Sequence, residues 1–316
     1  MDFEHEAVLA TEVLEYLALK PEGIYVDCTL GGAGHSQKIL ARLNQQGRLI
    51  GIDQDKAAIE AASKELALAE DNDLAKQVDL VRDNYSNLDQ IIDDLGIDKV
   101  DGFLFDLGVS SYQLDNPKRG FSYRYDAPLD MRMDQRQSKS AATIVNNYSA
   151  QELEKIIRDY GEERWANRIA EFIVDWREEE ELKTTGDLVE LIKAAIPASA
   201  RRDGPHPARR TFQALRIAVN NELGIIEDSL YKALDKLKSG GRIAVITFHS
   251  LEDRIVKQTF REMANDCVCP PKFPICACDK EQRVKLIDKN PIVASETELK
   301  NNPRARSAKL RIVEAK

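Results

Sequence analysis

Short unbroken apolar runs alternate with segments of helical spacing through the first third of the chain. The runs, which are typical of buried strands, occupy Ile24–Asp27, residues 48–53, Val78–Val81 and Val100–Asp106. Helical spacing lies between them, as in the alanine-rich residues 56–68. Strands that alternate with helices predict a doubly wound α/β fold, in which a parallel sheet carries helices on both faces.

Local signals mark the ends of several helices. Residues 6–17 have helical apolar spacing. Ser86 followed by Asp89 resembles a capping box, and Gly96 is placed to stop the helix that follows. The sequence therefore predicts one helix before the first strand and another between the third and fourth strands.

The chain from Asp106 to the next comparable strand, at residues 242–248, is far longer than the roughly 10–12 residues that a crossover needs. Ser149 and Glu152 predict a capping box, and three helical apolar stripes follow. We therefore predict a small helical domain at residues 114–205, inserted into a sheet domain of residues 1–113 and 206–316. A long helical pattern over residues 212–237 returns the chain to the sheet.

Composition is that of an ordinary globular protein, with 43% hydrophobic and 31% charged residues in 316. No apolar run approaches the roughly 20 residues that span a bilayer. The first residues are acidic and lack the order of a signal peptide. These features predict a cytoplasmic protein with no membrane partner, and they leave its oligomeric state open.

The net charge of −9 argues against a general nucleic-acid binder, but basic residues are clustered. One cluster surrounds the segment Gly204-Pro-His-Pro207 and the other lies near the C-terminus. Either cluster is a phosphate contact or a solvated face. The candidates for phosphate contact are Arg201, Arg202, Arg209, Arg210, Arg304 and Arg306, with Arg216 and Arg311 beside them in the same segments.

Five cysteines occur, and an odd number without a signal peptide argues against a disulfide scaffold. Four of them form a pattern that could supply zinc with thiolates. The spacing differs from the usual C-x2-C, and three prolines stiffen the loop, so a reduced proline-rich loop is the favoured interpretation and no metal is assigned. The four are Cys267, Cys269, Cys276 and Cys278.

A glycine-rich loop, Gly31-Gly-Ala-Gly34, follows the first strand, where parallel sheets bind ligands. Asp53, at the end of the second strand, is placed to accept hydrogen bonds from ribose hydroxyls. The loop departs from the G-x-G-x-x-G of dinucleotide sites. Asp27 before it would repel a pyrophosphate and attract a sulfonium or ammonium group. The charge favours S-adenosylmethionine over a dinucleotide.

The chain resembles the bacterial 16S ribosomal RNA cytosine-N4 methyltransferases, and the matching motifs run in order through nearly its whole length. In the sheet and the loop after it they are His5-x-x-Val-Leu9, Asp27-Cys-Thr-Leu-Gly-Gly-Ala-Gly-His-Ser36, Ile52-Asp-Gln-Asp55, Phe105-Asp-Leu-Gly-Val-Ser-Ser111, Arg119-Gly-Phe-Ser122 and Leu129-Asp-Met-Arg-Met-Asp134. Further along they are Tyr160-Gly-Glu-Glu-Arg164, His206-Pro-Ala-Arg-Arg-Thr-Phe-Gln-Ala-Leu-Arg216, Phe248-His-Ser-Leu-Glu-Asp-Arg254 and Asn302-Pro-Arg-Ala-Arg-Ser307.

The resemblance implies a Rossmann-like methyltransferase sheet with an inserted helical domain. It also implies methylation of a cytidine in the decoding centre of the small ribosomal subunit, on the exocyclic N4, with S-adenosylmethionine as donor. By motif match, the residues that contact the cofactor are Gly32, Ala33, Gly34, His35, Asp53, Tyr85, Asp106 and Gln113.

The catalytic residue is less clear, because other amino-methylating enzymes carry an (Asp/Asn/Ser)-Pro-Pro-aromatic motif after the fourth strand. Here that position reads Asp106-Leu-Gly-Val109. We expect Asp106 to orient the amino group and to receive its proton, with Asp130 and His249 as weaker candidates. The target base leaves its stack, and three aromatic residues either stack on it or form a packed cluster. They are Phe121, Tyr123 and Tyr125.

Rival interpretations differ in testable ways. A nicotinamide-dependent dehydrogenase would bind a dinucleotide, which Asp27 and the glycine spacing oppose. Carbon-5 methylation of cytosine needs a cysteine nucleophile, and none directly follows the fourth strand. A ribosome-binding factor without turnover, or methylation of DNA or protein, is opposed only by the family resemblance.

Overall fold

A computed structural model describes residues 7–66, 76–202, 204–267, 269 and 278–316. The chain forms two compact units. The first contains Met1–Gly108 and Leu223–Lys316, and the second contains Val109–Glu222. Each unit has its own hydrophobic core.

The strands and helices alternate in the first unit, and the second unit is helical. The strands are β1 (Ile24–Asp27), β2 (Arg48–Ile52), β3 (Val78–Val81), β4 (Val100–Asp106), β5 (Leu237–Thr247), β6 (Val284–Leu286) and β7 (Lys309–Ala315). The helices are α1 (Ala10–Tyr16), α2 (Gly34–Leu40), α3 (Lys56–Glu65), α4 (Leu88–Asp94), α5 (Ser111–Asp115), α6 (Ala141–Asn147), α7 (Ala150–Gly161), α8 (Ala166–Glu179), α9 (Thr185–Ala195), α10 (Arg209–Asn220), α11 (Ile226–Asp235), α12 (Ser250–Ala264) and α13 (Glu296–Asn301).

The sheet has seven strands in the order β3-β2-β1-β4-β5-β7-β6. The first five strands are parallel, whereas β7 runs antiparallel to both β5 and β6. The sequence pattern predicts no strand after residue 248, so the predicted parallel sheet lacks β6 and β7. β6 has only three residues, too few for a pattern. In β7 polar and apolar residues alternate from Lys309 to Ile312, and this alternation is the sequence signal for the strand.

Side chains of the central strands point alternately to two cores, which is why the sheet carries helices on both faces. Phe103 and Phe105 of β4 pack with α4, α11 and α12, whereas Leu104 between them packs with α1, α2 and α3. The predicted doubly wound α/β fold is therefore confirmed. In β1, β3 and β4 the predicted bounds are also those observed.

The second unit packs its helices around one apolar core that includes Leu153 of α7, Ile169 of α8 and Leu188 of α9. The predicted capping box at the start of α7 is present, since the Glu152 backbone N–H donates to Ser149 Oγ at 3.3 Å and the Glu152 side chain accepts from Ser149 N. The three predicted apolar stripes thus lie on α7, α8 and α9.

The boundaries of the inserted unit differ from residues 114–205. Helix α10 belongs to it, because Phe212 and Leu215 lie in the helical core. The pattern over residues 212–237 comprises most of α10, all of α11 and the first residue of β5. Asn221 separates the two helices with a left-handed backbone, φ 51°.

One predicted helix signal was wrong. Ser86 does not cap α4; its backbone N–H donates to the Asn84 side chain at 2.9 Å, and a short 3-10 turn at Tyr85–Asn87 precedes the helix. Asx turns use the same residue types as helix caps, which explains the confusion. Within the described part of the chain, no helix combines the length and apolar character needed to cross a membrane.

Candidate active site

Three aspartates lie at the carboxyl ends of the parallel strands. Asp27 ends β1, Asp53 directly follows β2, and Asp106 ends β4. Strand order reverses direction between β1 and β4, and open α/β sheets bind ligands at such a switch point. The predicted cofactor residues of the first unit meet at this edge.

The glycine-rich loop is held by two of these carboxylates. The Gly31 N–H donates to Asp53 Oδ2 at 2.9 Å, and the Ser36 hydroxyl donates to Asp27 Oδ2 at 2.7 Å. Gly31 and Ala33 both have left-handed backbones, φ 50° and 62°, so the chain turns sharply before α2. The loop is consequently tied to β1 and β2 by its backbone and by one hydroxyl.

Asp27 is fully buried beneath the loop, with 1% of its surface exposed. Burial raises its pKa to about 6, although hydrogen bonds from Ser36 and the Thr29 N–H lower it. Among the described residues, no cation pairs with it in the structure. Its role in the loop is therefore structural, and its charge also acts on neighbouring groups.

Asp53 is partly exposed and already accepts two backbone hydrogen bonds, from Gly31 to Oδ2 and from Asp55 to Oδ1 at 2.8 Å. Its pKa is raised to about 6, chiefly by burial and also by Asp55 and Asp27. Each carboxylate oxygen has a second lone pair. Asp53 can therefore keep the loop in place and still accept a ligand hydroxyl.

Asp106 and His35 form the least satisfied pair in the site. His35 Nε2 lies 3.7 Å from Asp106 Oδ2, beyond hydrogen-bond distance. Both His35 Nε2 and Asp106 Oδ1 are buried without a hydrogen-bond partner. Buried polar atoms of this kind are uncommon and are found at functional sites. The side chain of Asp106 remains 27% exposed, so a ligand can reach it.

The electrostatics of the pair follow from burial. The pKa of His35 is lowered to about 4, chiefly by burial and also by Lys38, so the ring is neutral at pH 7. Because Nε2 has no partner, the hydrogen bond to the Val8 backbone comes from Nδ1, which leaves a lone pair on Nε2. The pKa of Asp106 is raised well above its usual value by burial, by Asp27 and by Glu252.

Glu252 is a site residue that the sequence analysis did not single out, although it lies in the matched motif Phe248-His-Ser-Leu-Glu-Asp-Arg254. It is 1% exposed, and its Oε2 accepts from the Phe248 N–H at 2.8 Å and the His249 N–H at 3.2 Å. Its Oε1 lies 3.0 Å from His249 Nε2. His249 Nδ1 accepts from the Glu252 N–H at 3.3 Å and so caps α12, whereas its Nε2 is buried without a hydrogen-bond partner.

The chain leaves the site at Gly108, whose φ of 105° only glycine adopts readily. A Cβ atom there would lie 3.7 Å from the Phe248 ring and 3.9 Å from Glu252 Oε1. The loop after β4 therefore passes directly over Glu252. A proline at this position, as in the other amino-methylating motif, is incompatible with this backbone.

The remaining predicted cofactor residues fall in both units. Tyr85, in the first unit, is half-buried and packs edge-on against Phe105, with ring centroids 5.6 Å apart. Gln113 belongs to the second unit. It is buried, and its Oε1 accepts from the Ser110 N–H at 3.1 Å in the capping box of α5.

Several secondary candidates have structural roles in the second unit. Both oxygens of Asp130 bind Arg132, at 2.8 and 2.7 Å, and these bonds lower its pKa despite partial burial. Phe121 is buried in the helical core, and Tyr123 stacks on His206 at 4.6 Å. The packed-cluster interpretation thus holds for these two aromatic residues, whereas Tyr125 is 49% exposed.

The six arginines predicted to contact RNA are all exposed. Arg201, Arg202, Arg209 and Arg210 belong to the second unit, and Arg304 and Arg306 to the first. Two neighbouring arginines form ion pairs within the protein. Arg216 donates two hydrogen bonds to Glu222, at 2.9 and 2.8 Å, and Arg311 donates one to Asp253 at 2.7 Å. Those two neighbours are therefore paired with carboxylates inside the protein.

The residues at the strand ends fit S-adenosylmethionine. Open space lies above Gly32, because a Cβ atom there would meet nothing within 4 Å. Asp106 is surrounded by the like charges of Asp27 and Glu252, and a cationic ligand would relieve that repulsion. A pyrophosphate would increase it. The charge of the site thus selects a cationic cofactor over a dinucleotide.

Comparison with known proteins also indicates a methyltransferase. The profile of the MraW methylase family matches residues 2–316. Three proteins, each named Ribosomal RNA small subunit methyltransferase H, align with nearly the whole chain. That of Ruminiclostridium cellulolyticum is 55% identical over 314 residues, that of Clostridioides difficile is 54% identical over 314, and each alignment covers 99% of both chains. That of Halothermothrix orenii is 55% identical over 311 residues, 98% of both chains.

Proposed function

The chain belongs to the MraW methylase family and is a methyltransferase, and from that premise we propose that it methylates the exocyclic N4 of a cytidine in the decoding centre of 16S ribosomal RNA. S-adenosylmethionine, when bound, supplies the methyl group as part of a sulfonium cation. One observation carries the proposal: relatives named for small-subunit ribosomal RNA methylation match this chain over 99% of both lengths.

The cofactor would be held at the edge formed by β1, β2 and β4. Gly32 leaves room for it, and Asp53 has lone pairs for its ribose hydroxyls. Ala33, Gly34 and His35 are proposed to contact it by motif match. Tyr85 offers a half-buried ring for the adenine. Gln113 is proposed to contact the cofactor on motif match alone.

Asp106 is proposed to act on the amino group of the target cytosine. The amino nitrogen loses one proton during the reaction, and its lone pair is delocalised into the ring until an acceptor orients the N–H bonds. Asp106 Oδ1 has an unused acceptor position. Its raised pKa makes the carboxylate a stronger base than an ordinary aspartate. Neutral His35 beside it adds no competing charge.

RNA is proposed to lie along the exposed arginines, since guanidinium groups bind phosphates with two parallel hydrogen bonds. We place the enzyme in the cytoplasm, with the small ribosomal subunit as substrate. Replacing Arg201 and Arg202 with Gln should weaken RNA binding and make its salt dependence shallower, by roughly 0.7–0.9 in the log–log slope for every phosphate that the variant no longer neutralises. An unchanged slope would remove this pair from the interface.

The experiment that tests the proposal is transfer of labelled methyl groups to small subunits from a strain that lacks this gene. The expected product, by nucleoside mass analysis, is N4-methylcytidine. Asp53→Ala should abolish it by weakening cofactor binding, while a folded Asp53→Asn variant should retain part of it. Labelled 5-methylcytidine, or labelled protein in place of RNA, would contradict the proposed acceptor.

A further inference from the structure

Three of the four clustered cysteines converge in the structure. The Sγ atoms of Cys267, Cys269 and Cys278 all lie within 4.8 Å of one another, and all three side chains are partly buried. None of them belongs to the methyl-transfer machinery described above. Cys276, the fourth cysteine of the pattern, lies outside the described residues, and the inference rests on the other three.

The geometry points to a site for a thiophilic metal ion, and we propose that these thiolates bind zinc. Two thiolates bound to zinc at about 2.3 Å in a tetrahedral arrangement lie about 3.8 Å apart. The Sγ atoms of Cys267 and Cys278 are separated by 3.8 Å. A disulfide needs about 2.0 Å, so the two cysteines are not covalently bonded; Cys278 Sγ donates a hydrogen bond to Cys267 Sγ at the separation that two zinc ligands would have.

Hydrogen bonding supports a thiolate at Cys267. The Cys269 backbone N–H donates to Cys267 Sγ at 3.3 Å. Backbone N–H groups that point at sulfur are a common outer shell of metal sites, because they stabilise the negative charge of the ligand. Soft sulfur ligands in this number select zinc over hard cations such as magnesium.

The position of the cysteines in the chain explains what the metal would do. Cys267 and Cys269 follow α12, and Cys278 precedes β6, eleven residues after Cys267. The base of this loop is already closed, since the Arg283 N–H donates to the Met263 carbonyl at 3.0 Å. A metal between the two arms would close the loop a second time and attach it to the sheet edge. The site is therefore structural.

The sequence analysis favoured a metal-free loop because Cys-x-Cys pairs differ from the usual zinc spacing. Spacing reports only how close two ligands are along the chain. The structure adds the contact between Cys267 and Cys278.

The test is the metal content of the full chain, purified under reducing conditions without chelator. The expected result is about one zinc ion per chain by mass spectrometry, and loss of at least about 90% of it in Cys267→Ser and Cys278→Ser. Cys28→Ala is the matched control: its thiol is buried elsewhere in the core, and its zinc content should equal that of the wild type.

A second measurement keeps the proposal testable if the serine variants fail to fold. Cobalt added to the reduced, zinc-free wild-type chain should produce thiolate-to-cobalt charge-transfer absorption, and zinc should displace it. Chelation should lower the melting temperature by several degrees, with recovery on zinc addition. Absence of both zinc and the cobalt spectrum would overturn the proposal, as would a chain mass that shows a Cys267–Cys278 disulfide under the same conditions.

Discussion

The two ends of strand β4 each carry an aspartate, and they have opposite environments. Asp101, near the start, accepts from Lys20 Nζ at 3.1 Å, Lys238 Nζ at 2.6 Å and the Ile24 N–H at 3.0 Å, and these bonds lower its pKa despite burial. Asp106, at the other end, has an oxygen without a partner and a raised pKa.

The difference separates stability from function along a single strand. Two lysines and a backbone N–H at the start of β4 stabilise the charged form of Asp101, so this aspartate contributes to the stability of the fold. Burial and two neighbouring carboxylates destabilise the charged form of Asp106. Residues with such unfavourable environments are concentrated at functional sites. Ligand-binding edges of parallel sheets lie at the carboxyl ends of the strands, and this strand follows the rule at the level of individual side chains.

The largest expected effect is on catalysis, from Asp106→Asn. The variant keeps the size of the side chain but loses its basicity, so the single-turnover rate at saturating cofactor should fall by about 10²–10⁴-fold. Cofactor binding, measured by calorimetry, should persist. The variant should unfold at the same temperature as the wild type or higher at pH 7, because a disfavoured charge is removed. Normal turnover would exclude Asp106 as the proton acceptor.

A smaller effect, on stability alone, is expected from Asp101→Asn. Asparagine cannot pair with two lysines, so the variant should lose about 1–3 kcal/mol of unfolding free energy in urea. Its turnover at 25 °C should equal that of the wild type. If Asp101→Asn lowered turnover as much as Asp106→Asn does, the separation of roles between the two ends of β4 would be wrong.

The smallest expected effect is on the pH dependence of the unfolding free energy, to which Asp101 and Asp106 contribute with opposite sign. The pKa of Asp101 is lowered from 3.8, so its contribution to stability is present above that value and is lost as pH falls. The pKa of Asp106 is raised from 3.8, so its contribution is present below that value and is lost as pH rises through the raised pKa. Relative to wild type, Asp106→Asn should therefore gain stability as pH rises above about 4.

Urea unfolding at several pH values measures both slopes. Over the same interval the deficit of Asp101→Asn should stay constant, and it should shrink only as the solution becomes more acidic than about pH 4. Asp53, whose pKa is raised to about 6 without a contribution from Asp106 or Asp101, adds the same slope to all three proteins and cancels in the differences. Parallel curves for the two variants would contradict the assigned charges.

Much of the sheet was predictable from local pattern. Strands buried on both faces are continuous apolar runs, which is why the bounds of β1, β3 and β4 could be predicted from sequence. The same reasoning failed for β6 and for the Ser86 cap, because three residues carry no period and because serine, asparagine and aspartate serve turns as well as helices.

The positions of the candidate site residues were predictable, whereas their contacts were not. Asp27, Asp53 and Asp106 follow from their positions at strand ends, and the resemblance to a family named the rest. The partnerless atoms of His35 and Asp106 could not be anticipated, since the two residues are far apart in sequence. Glu252 was hidden within a matched motif, where nothing local distinguishes a buried carboxylate from a helix cap.

By itself the sequence determined the order of strands and helices, the existence of an insertion, the family and the cationic preference of the loop after β1. Those properties depend on residues that are close together along the chain, and the apolar periodicity and the charge of the sequence are enough to predict them. Tertiary structure alone decided that α10 belongs to the inserted unit, that Arg216 and Arg311 are occupied by carboxylates, and that Cys267 meets Cys278. These outcomes depend on desolvation and on distances between side chains that only packing establishes.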